Sequence, residues 1–577
     1  MGMTSLETGL SGLSANQSKL DVVGNNIANV NTVGFKSSQL DFKTQFSQNF
    51  SYGTPPGGDV GGTNPLQVGM GTQAGAISRN FNDGSREVTG VSTNLAMEGN
   101  GFFILQGQEQ QYTRDGSFKL NSENLLVNSD GQRVQGFGVD ANFQPVPGVL
   151  KDLSIPVGGL TIAQATSNVT FDGNLNAGGT QATSVSQLTM DQRLYDVSTP
   201  AAAPLATSLL TNLATTAAGT PVFQAGDVIT MQAQKNNRTL AAKTLTVTAT
   251  TTLADYMSFL QGSMGINMTA GVNSSPNIVT PVTPGVSMVT DAVDPLAVDL
   301  KVAGNLGTQN DLSLASTAIT VKRGGTSNNP FTFTKNSAAD GESVFTSTTA
   351  YDSLGNSVSV NVIAVLTNAS SAGTTWRFFA ESPDDSTASP NVKMDVGTGT
   401  MSFNNVGQLT DTTTPDVLIN RSGTGSTANL NFKLDFSKVT SLSGGTSQLA
   451  STLQDGSAMG SLTNFSIGTD GTISGTFSNG LTRTLGQVAV ATFRNNQGLV
   501  DRGNNSFSAG PNSGTAVISA PQQFSAGRIV SGALELSNVD LSAEFVNLIS
   551  ASTGFSAASR VISTSNQLLQ ELLNSAR

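Results

Sequence analysis

Residues 540–573 read DLSAEFVNLISASTGFSAASRVISTSNQLLQELL, and this stretch decides the fold predicted for the whole chain. Apolar residues recur in it at a strict heptad spacing, with a weaker file three or four residues further on. The first file is Leu541, Leu548, Phe555, Ile562 and Leu569, and the second is Phe545, Ala551, Ala558, Leu572 and Leu573. This is the a/d pattern of an amphipathic helix that packs along another helix. Since such a helix cannot bury its apolar stripe alone, the pattern predicts a partner helix.

A matching stripe lies at the opposite end of the chain. It consists of Leu6, Leu13, Leu20 and Ile27, again at heptad spacing, with Leu10, Val23 and Val30 beside them. Thr4 and Glu7 read as a capping box, which predicts a helix that starts just inside the N terminus. We expect this helix to end at about Ile27. The two terminal helices should meet and form an inner coiled-coil layer.

Asparagines cluster where the first helix is expected to end, at Asn25, Asn26, Asn29 and Asn31, and the helix breaker Gly34 follows them. Two interpretations remain open. Asparagine competes with the helix for backbone hydrogen bonds, so the cluster can simply terminate the helix, which is the interpretation that physical reasoning favours. Alternatively, the amides make uncharged hydrogen bonds between neighbouring copies of the chain in an assembly.

Composition argues against several classes of function. The 577 residues carry a net charge of −11, only 12% of them are charged, and cysteine and histidine are both absent. A chain without a basic patch cannot displace phosphate counterions, so nucleic-acid binding is not expected. Thiol catalysis, most nucleophile–base pairs and the commonest metal ligand are missing as well. We therefore expect no enzyme activity, no cofactor, and no catalytic or metal-binding residues.

The sequence also bears on location. It contains no run of about 18 apolar residues, so no membrane insertion is expected. The first residues lack a basic segment followed by an apolar core, which argues against a cleaved signal peptide. Low charge and the lack of cysteine nevertheless suit an extracellular protein. We therefore expect export by a route that does not cleave the N terminus, with a cytosolic protein as the alternative on composition.

Between the terminal helices, short strands separated by Asn, Asp and Gly turns predict nested all-β domains. Residues 112–118 and 125–134 each read as a hairpin with an Asp-Gly turn. Arg114 and Asp115 could suggest an acid–base pair, but turn formation explains Asp115-Gly116 better. The predicted fold class is therefore multidomain, with helical ends and all-β domains inserted between them.

The predicted domains are discontinuous, because the β regions insert into one another. Residues 1–35 and 530–577 form the helical terminal domain, 36–76 an extended linker, 77–160 and 448–529 the inner β domain, 161–179 and 341–447 the outer β domain, and 180–340 an outermost inserted domain that is mostly β.

Several motifs resemble those of a known family. The segments SGLSA (11–15), LDVVGNNIAN (20–29) and NTVGFK (31–36) look like the N-terminal signature of bacterial flagellar rod and hook proteins. The signature positions are Asn25, Asn26, Asn29, Asn31, Gly34, Phe35 and Lys36. The segment YDSLGN (351–356) resembles the outer β domain of hook proteins, and DGSAMG (455–460) and GALELSNVDL (532–541) resemble their C-terminal half. The resemblance covers roughly 1–160 and 340–577.

The resemblance implies a structural subunit of the flagellar hook, a curved flexible tube with a central export channel that passes torque from the rod to the filament. Copies of the chain would then polymerise through the heptad residues of both helices. The implied partners are the chain itself, the distal rod protein, the hook cap protein, the hook–filament junction protein and the hook-length control protein. Export through the flagellar channel would take it to the extracellular flagellum.

Two alternatives remain open at this stage. A distal rod protein would carry the same helical signatures, but the length of the chain and its large outer insert favour the hook. A secreted β-rich adhesin would not need complementary heptads at both ends.

Overall fold

The computed structural model describes residues 2–278 and 282–575. Residues 279–281 of the predicted insert, and Met1, Ala576 and Arg577 of the predicted terminal domain, lie outside the described residues. The chain forms two compact units, one made of residues 1–161 and 461–577 and the other of residues 162–460. The second unit is thus inserted in the sequence of the first, and the predicted fold class of helical ends with nested β regions is confirmed.

The described residues contain three α-helices, α1 (Gly2–Ala28), α2 (Leu253–Ser263) and α3 (Leu541–Ser575). Helices α1 and α3 pack along each other in the first unit, which confirms that the two ends of the chain meet as helices. Helix α2 starts at a capping box in which Thr252 and Asp255 bind each other's backbone amides.

The first unit takes its strands from both sides of the insertion. Before it come Ser38–Thr44, Ser47–Ser51, Leu66–Gly69, Thr72–Arg79, Arg86–Val88, Leu95–Glu98, Phe102–Gln106, Gln110–Thr113, Lys119–Leu120, Leu126–Val127, Arg133–Val139 and Pro145–Asp152. After it come Thr472–Phe477, Thr482–Val488, Val490–Thr492, Val500–Gly503, Ser506–Ser508, Val517–Ser519, Arg528–Ser531 and Ala533–Glu535. Strands Thr161–Gln164 and Ser457–Ile467 span the boundaries between the units.

Strands from the two sides of the insertion share one antiparallel sheet in the first unit. Strand Arg133–Val139 pairs with Thr482–Val488, and strand Gln110–Thr113 pairs with Ser506–Ser508. Aromatic rings pack on this sheet; Phe102, for example, meets Phe507 edge to face at 5.9 Å. The sheet and its core therefore depend on both halves of the sequence.

Residues 38–79 form paired strands, whereas the sequence predicted an extended linker over 36–76. Strand Ser38–Thr44 pairs with Thr72–Arg79, and Ser47–Ser51 pairs with Leu66–Gly69. The base of this double hairpin lies on α1, where the Thr72 amide donates to Ser11 Oγ at 3.2 Å. Most of its side chains are exposed, so main-chain hydrogen bonds hold the strands, and no apolar alternation marks them in the sequence.

The second unit has two main cores. Its strands are Asn168–Asn174, Val185–Met190, Tyr195–Asp196, Leu213–Ala214, Val228–Met231, Gln234–Lys235, Arg238–Thr239, Lys243–Thr246, Gly285–Thr290, Val298–Leu306, Leu312–Ser313, Ile319–Arg323, Thr326–Asn328, Phe333–Ser337, Ser343–Tyr351, Ser357–Ser370, Gly373–Glu381, Asp395–Asn404, Leu409–Thr413, Asp416–Asn420, Asn429–Thr440 and Gln448–Gln454. One core surrounds α2 with Tyr256 and Phe259, and the other surrounds Trp376 on the sheet of residues 343–413.

The boundary between the units differs from the predicted domain boundary. Strand Gln448–Gln454, which sequence analysis assigned to the inner β domain, pairs with Asn168–Asn174 in the second unit. Its pairing partner lies far away in the sequence, so local pattern alone did not reveal which sheet it joins.

Candidate functional site

Helices α1 and α3 run antiparallel along a seam of small and polar residues. The contacts pair Ser5 with Ser565, Gly9 with Ile562, Gly12 with Ala558, and Asn16 with Gly554. A Cβ added at Gly9 would lie only 2.9 Å from Ile562 Cγ1, so a larger residue cannot be accommodated there without movement. Small residues on both sides bring the helix axes close together.

Of the heptad residues predicted for helix packing, Ile562 contacts Gly9 in this seam. Half-buried are Leu6, Leu13, Leu20, Ile27, Leu548, Phe555, Ile562 and Leu569, and exposed are Leu10, Leu541 and Phe545. Among the side chains of the two helices whose burial the structure describes, the buried apolar ones are Ala15, Val23 and Ala551. Packing within one chain therefore leaves much of the apolar heptad surface uncovered.

Further apolar side chains of α3 are exposed in two groups. The first group lies near the start of the helix and consists of Phe545, Val546 and Ile549; the second lies towards its end and consists of Val561, Leu568, Leu572 and Leu573. Ile549, for example, is 65% exposed. A soluble chain rarely keeps such a concentration of exposed apolar residues on one element without a binding partner.

Asn26 joins three elements at the end of the helix pair. Its side chain is completely buried, and its Nδ2 donates to Ser38 O at 2.8 Å and to Glu544 Oε1 at 3.0 Å. Its Oδ1 accepts a hydrogen bond from the Ser38 amide at 2.9 Å. One amide thus fixes α1, the first strand and α3 relative to one another.

The other signature asparagines lie at the helix end. Asn29 Nδ2 donates to Asn25 O at 3.0 Å, one turn earlier, while Asn25 and Asn31 are exposed. These bonds fit the helix-termination interpretation, and Asn26 adds a tertiary role that neither sequence interpretation contained.

Lys36 ends the signature in a buried ion pair. Its Nζ donates to Glu535 Oε1 at 2.5 Å and to Asn82 O at 2.7 Å. Burial lowers the pKa of Lys36, and the Glu535 carboxylate beside it opposes that shift. Arg114 Nη1 lies 3.4 Å from Glu535 Oε2 and 3.4 Å from Asp83 Oδ1, so two cations and two carboxylates form one cluster.

The main chain at Gly34 and Phe35 packs closely against the segments that carry this cluster. Gly34 has a φ of +71°, and its amide donates to Glu535 O at 2.8 Å. A Cβ at this position would lie 2.7 Å from the Asp115 amide nitrogen, so only glycine fits. Phe35 is buried, and its carbonyl accepts a hydrogen bond from the Asn538 amide at 3.4 Å. We call Gly34, Phe35, Lys36, Arg114 and Glu535 the terminal junction.

Arg114 and Glu535 belong to this junction, although the sequence did not indicate it. Asp115 does form the expected turn, where its Oδ1 accepts from the Ser117 amide at 2.9 Å. Arg114, however, is 1% exposed, donates to Gly99 O at 2.8 Å, and has its guanidinium 5.3 Å from the centre of the Phe102 ring. The one signal in the sequence that could have indicated a buried role for Arg114 is its position beside an apolar strand in a chain with few charged residues.

The junction contains cations paired with carboxylates and main-chain carbonyls, an arrangement that holds segments together. In the parts of the chain that the structure describes, no cluster of three or more His, Cys, Asp or Glu side chains is placed to bind a metal ion. Over the same residues, no helix has the length and apolar character needed to cross a membrane.

Four family models match separate parts of the chain. They are described as "Flagella basal body rod protein" at residues 6–36, "Flagellar hook protein FlgE/F/G D1 domain" at 96–177, "Flagellar basal body protein FlaE D2 domain" at 315–457, and "Flagellar basal body rod FlgEFG protein C-terminal" at 530–575. The first and last of these matches cover most of α1 and α3 together with Gly34, Phe35, Lys36 and Glu535 of the terminal junction, and Arg114 lies in the match at 96–177.

Relatives match the chain from end to end. The flagellar hook protein FlgE of Treponema pallidum is 30% identical over 589 residues, and the match covers all of both chains. FlgE of Borreliella burgdorferi is 29% identical, with 99% of each chain covered. A crystal structure of Helicobacter pylori FlgE2 covers 78% of this chain and all of that chain, at 16% identity and a TM-score of 0.37. The end-to-end matches to hook proteins bear out the resemblance and favour the hook over the rod and adhesin alternatives: the chain belongs to the flagellar hook protein family, the structural subunits of the bacterial flagellar hook.

Proposed function

We propose that this hook subunit polymerises through its paired terminal helices into a curved, flexible tube with a central channel, which transmits torque from rod to filament. The observation that carries the proposal is the apolar surface that α1 and α3 leave uncovered after packing on each other. A second copy of the chain offers the same kind of surface, so stacking of copies would remove both from water.

The free energy of such a contact comes from apolar burial, at about 25 cal/mol for each Å² removed from water. The residues proposed to supply it are Leu6, Leu10, Leu13, Leu20, Ile27, Leu541, Phe545, Leu548, Phe555, Ile562 and Leu569. A head-to-tail contact that does not close produces an open helical polymer. In such a tube, the helices form the inner layer and the β domains lie outside.

Bending requires outer contacts that shift at little cost in free energy as each subunit passes between the inside and outside of the curve. Only 12% of the residues are charged, and glycine is abundant with 62 copies. A surface of Ser, Thr, Asn and Gly makes hydrated, exchangeable hydrogen bonds instead of fixed ion pairs. This composition supports a flexible joint. The proposal keeps the predicted domains with two changes: residues 448–454 join the second unit, and residues 38–79 form a double hairpin.

The proposed role also specifies the surroundings of the chain. Its neighbours would be further copies of itself, the distal rod protein, the hook cap protein, the hook–filament junction protein and the hook-length control protein. The subunit would reach the extracellular flagellum without cleavage of a signal peptide, and it would have no catalytic activity.

Assembly of the purified full-length chain tests the proposal. The double variant Phe545→Ser/Ile549→Ser removes two exposed apolar side chains of α3, so the isolated chain should keep its fold. The matched control is Val293→Ser, which removes a side chain of 79% exposure in the second unit. Sedimentation and electron microscopy should show curved tubes for the unmodified chain and the control, but none for the α3 variant. Tubes of normal shape and yield from the α3 variant would refute the proposed polymerisation surface.

A further inference from the structure

Three buried polar side chains meet in the second unit. Lys235 ends the strand Gln234–Lys235, Asn310 ends the single turn Thr308–Asn310, and Glu381 ends the strand Gly373–Glu381. Their exposed fractions are 1%, 0% and 4%, respectively. A primary amine, a carboxamide and a carboxylate therefore share one site that is closed to water.

The amine contacts both of the other groups. Lys235 Nζ donates to Glu381 Oε1 and lies 3.5 Å from Asn310 Oδ1. It also donates to Gly265 O at 2.8 Å, while Asn310 Nδ2 donates to Leu306 O at 2.8 Å. These bonds hold the amine beside the carbonyl group of the carboxamide in a fixed orientation.

Such an arrangement favours reaction between the two groups. Reactants held in contact gain a very large effective concentration over the same groups in solution. A lysine amine in a desolvated site can act as a nucleophile once a neighbouring base accepts its proton, and Glu381 is in position to do so. Burying an ion pair is costly, so a reaction that converts the ammonium group into an uncharged amide removes part of that cost.

We propose that Lys235 and Asn310 are a modification site at which an intramolecular isopeptide bond forms, with Glu381 as the proton carrier. Lys235 Nζ gives a proton to Glu381 and attacks Asn310 Cγ. The Nζ–Cγ bond forms and the Cγ–Nδ2 bond breaks. The two protons that Nζ loses end on the departing nitrogen, which leaves as ammonium, and Glu381 returns to its carboxylate form. No group is oxidised or reduced, and no further reactant is needed.

Arg238 keeps Glu381 paired after the reaction. Its Nη2 lies 3.5 Å from Glu381 Oε2, and its guanidinium is 4.1 Å from the centre of the Phe345 ring. When the ammonium of Lys235 is converted to an amide, the carboxylate therefore retains a cation beside it. The bond would join positions 75 residues apart and constrain the unfolded chain as a disulfide does, in a protein without cysteine.

Mass spectrometry of the denatured full-length chain tests the proposal. The unmodified protein should be lighter than its sequence mass by one ammonia, and a digest should contain a branched peptide that joins Lys235 to Asn310. Asn310→Ala and Glu381→Gln should each show the full sequence mass. Asn310→Asp keeps the shape of the side chain and should form the same link with loss of one water.

Lys36 is the internal control, because it is also a buried lysine beside a glutamate but donates to Glu535 and to a main-chain carbonyl instead of a carboxamide side chain. Peptides that contain Lys36 should remain unbranched. A wild-type chain at its full sequence mass would overturn the proposal. So would a loss of ammonia that is traced to another asparagine, such as Asn479 before Gly480, with no branched peptide.

Discussion

The ammonium group of Lys36 and the carboxylate of Glu535 lie 2.5 Å apart with both side chains closed to solvent, although 499 positions separate them in the sequence. The pair connects the segment that follows α1 to the strand that precedes α3. The pair therefore holds the end of α1 and the start of α3 near one fixed point of the first unit.

Removal of one partner of this pair should destabilise the first unit strongly. Lys36→Met leaves Glu535 buried without its closest cation, and breaking a buried pair in this way costs about 3–5 kcal/mol. We expect the lower end of that range, because Arg114 still faces Glu535 at 3.4 Å. Urea unfolding followed by circular dichroism measures the loss. The control is Arg528→Met, which breaks an exposed pair with Glu98 and should change the stability far less; equal losses for both variants would contradict this account.

Gly34 and Gly24 form a matched pair of glycine positions. Gly34→Ala forces a side chain onto a φ of +71° and against the Asp115 amide, and we expect a loss of about 1–3 kcal/mol. Gly24→Ala lies in α1 with no atom within 4 Å of the added Cβ, so it should stabilise the helix by about 0.5–1 kcal/mol. Thermal unfolding measures the change in stability of both variants. A change of the same sign in the two variants would be inconsistent with the structure.

The small-residue seam makes a similar prediction for the helix pair. Gly9→Leu places its Cβ 2.9 Å from Ile562 Cγ1 and pushes α1 away from α3, at a cost of about 1–3 kcal/mol. The control is Gly12→Ala, whose Cβ meets Ala558 Cβ at an ordinary 3.6 Å and should be neutral or slightly stabilising. Hydrogen exchange of the α1 amides reports the effect directly, with faster exchange expected only for Gly9→Leu.

Asp395 should make stability depend on pH. Burial raises the pKa of this carboxyl from 3.8 to about 6, against the opposing effect of a hydrogen bond from Asn267. Below the unfolded pKa both states are protonated and no penalty exists. Between about pH 4 and 6 the unfolded chain ionises first, so stability falls as pH rises and then levels off.

The side chain of Asp395 keeps some exposure, so we expect the fall to amount to about 1–3 kcal/mol. Asp395→Asn should remove this slope and leave the chain more stable than the unmodified protein at pH 8. Urea unfolding at a series of pH values measures the dependence of stability on pH for both proteins. Asp227 serves as a control of opposite sign, because its hydrogen bond from Arg323 lowers the pKa, and Asp227→Asn should instead reduce stability above pH 4. An unchanged slope in Asp395→Asn would rule out this residue as its origin.

The terminal helices could be predicted from sequence because their signal is local and periodic. The heptad spacing of Leu541, Leu548 and Phe555 can be recognised within a few helical turns. Residues at this spacing share one face only if the segment is helical. The actual seam was harder to see, since Gly9, Gly12 and Gly554 have no apolar side chains to mark it. Their role depends on how near the other helix comes, which is a tertiary property.

The terminal junction could not be predicted from local sequence patterns, for a related reason. Gly34 and Lys36 were recognised through the family signature, but their partner Glu535 sits in a short strand at the other end of the sequence. The double hairpin at 38–79 escaped prediction because most side chains of its strands are exposed, so that few apolar residues mark the strands in the sequence. Each of these features depends on long-range partners and not on the residues alone.

The antiparallel seam has a consequence for incomplete molecules. Residues of α1 that pack in the seam find their partners only on α3, the last helix of the chain. A fragment that stops before residue 541 would keep the contact of α1 with the double hairpin, but it would leave Gly9 and Gly12 without their partners on α3. The helix pair can therefore form within one molecule only when the chain carries both α1 and α3.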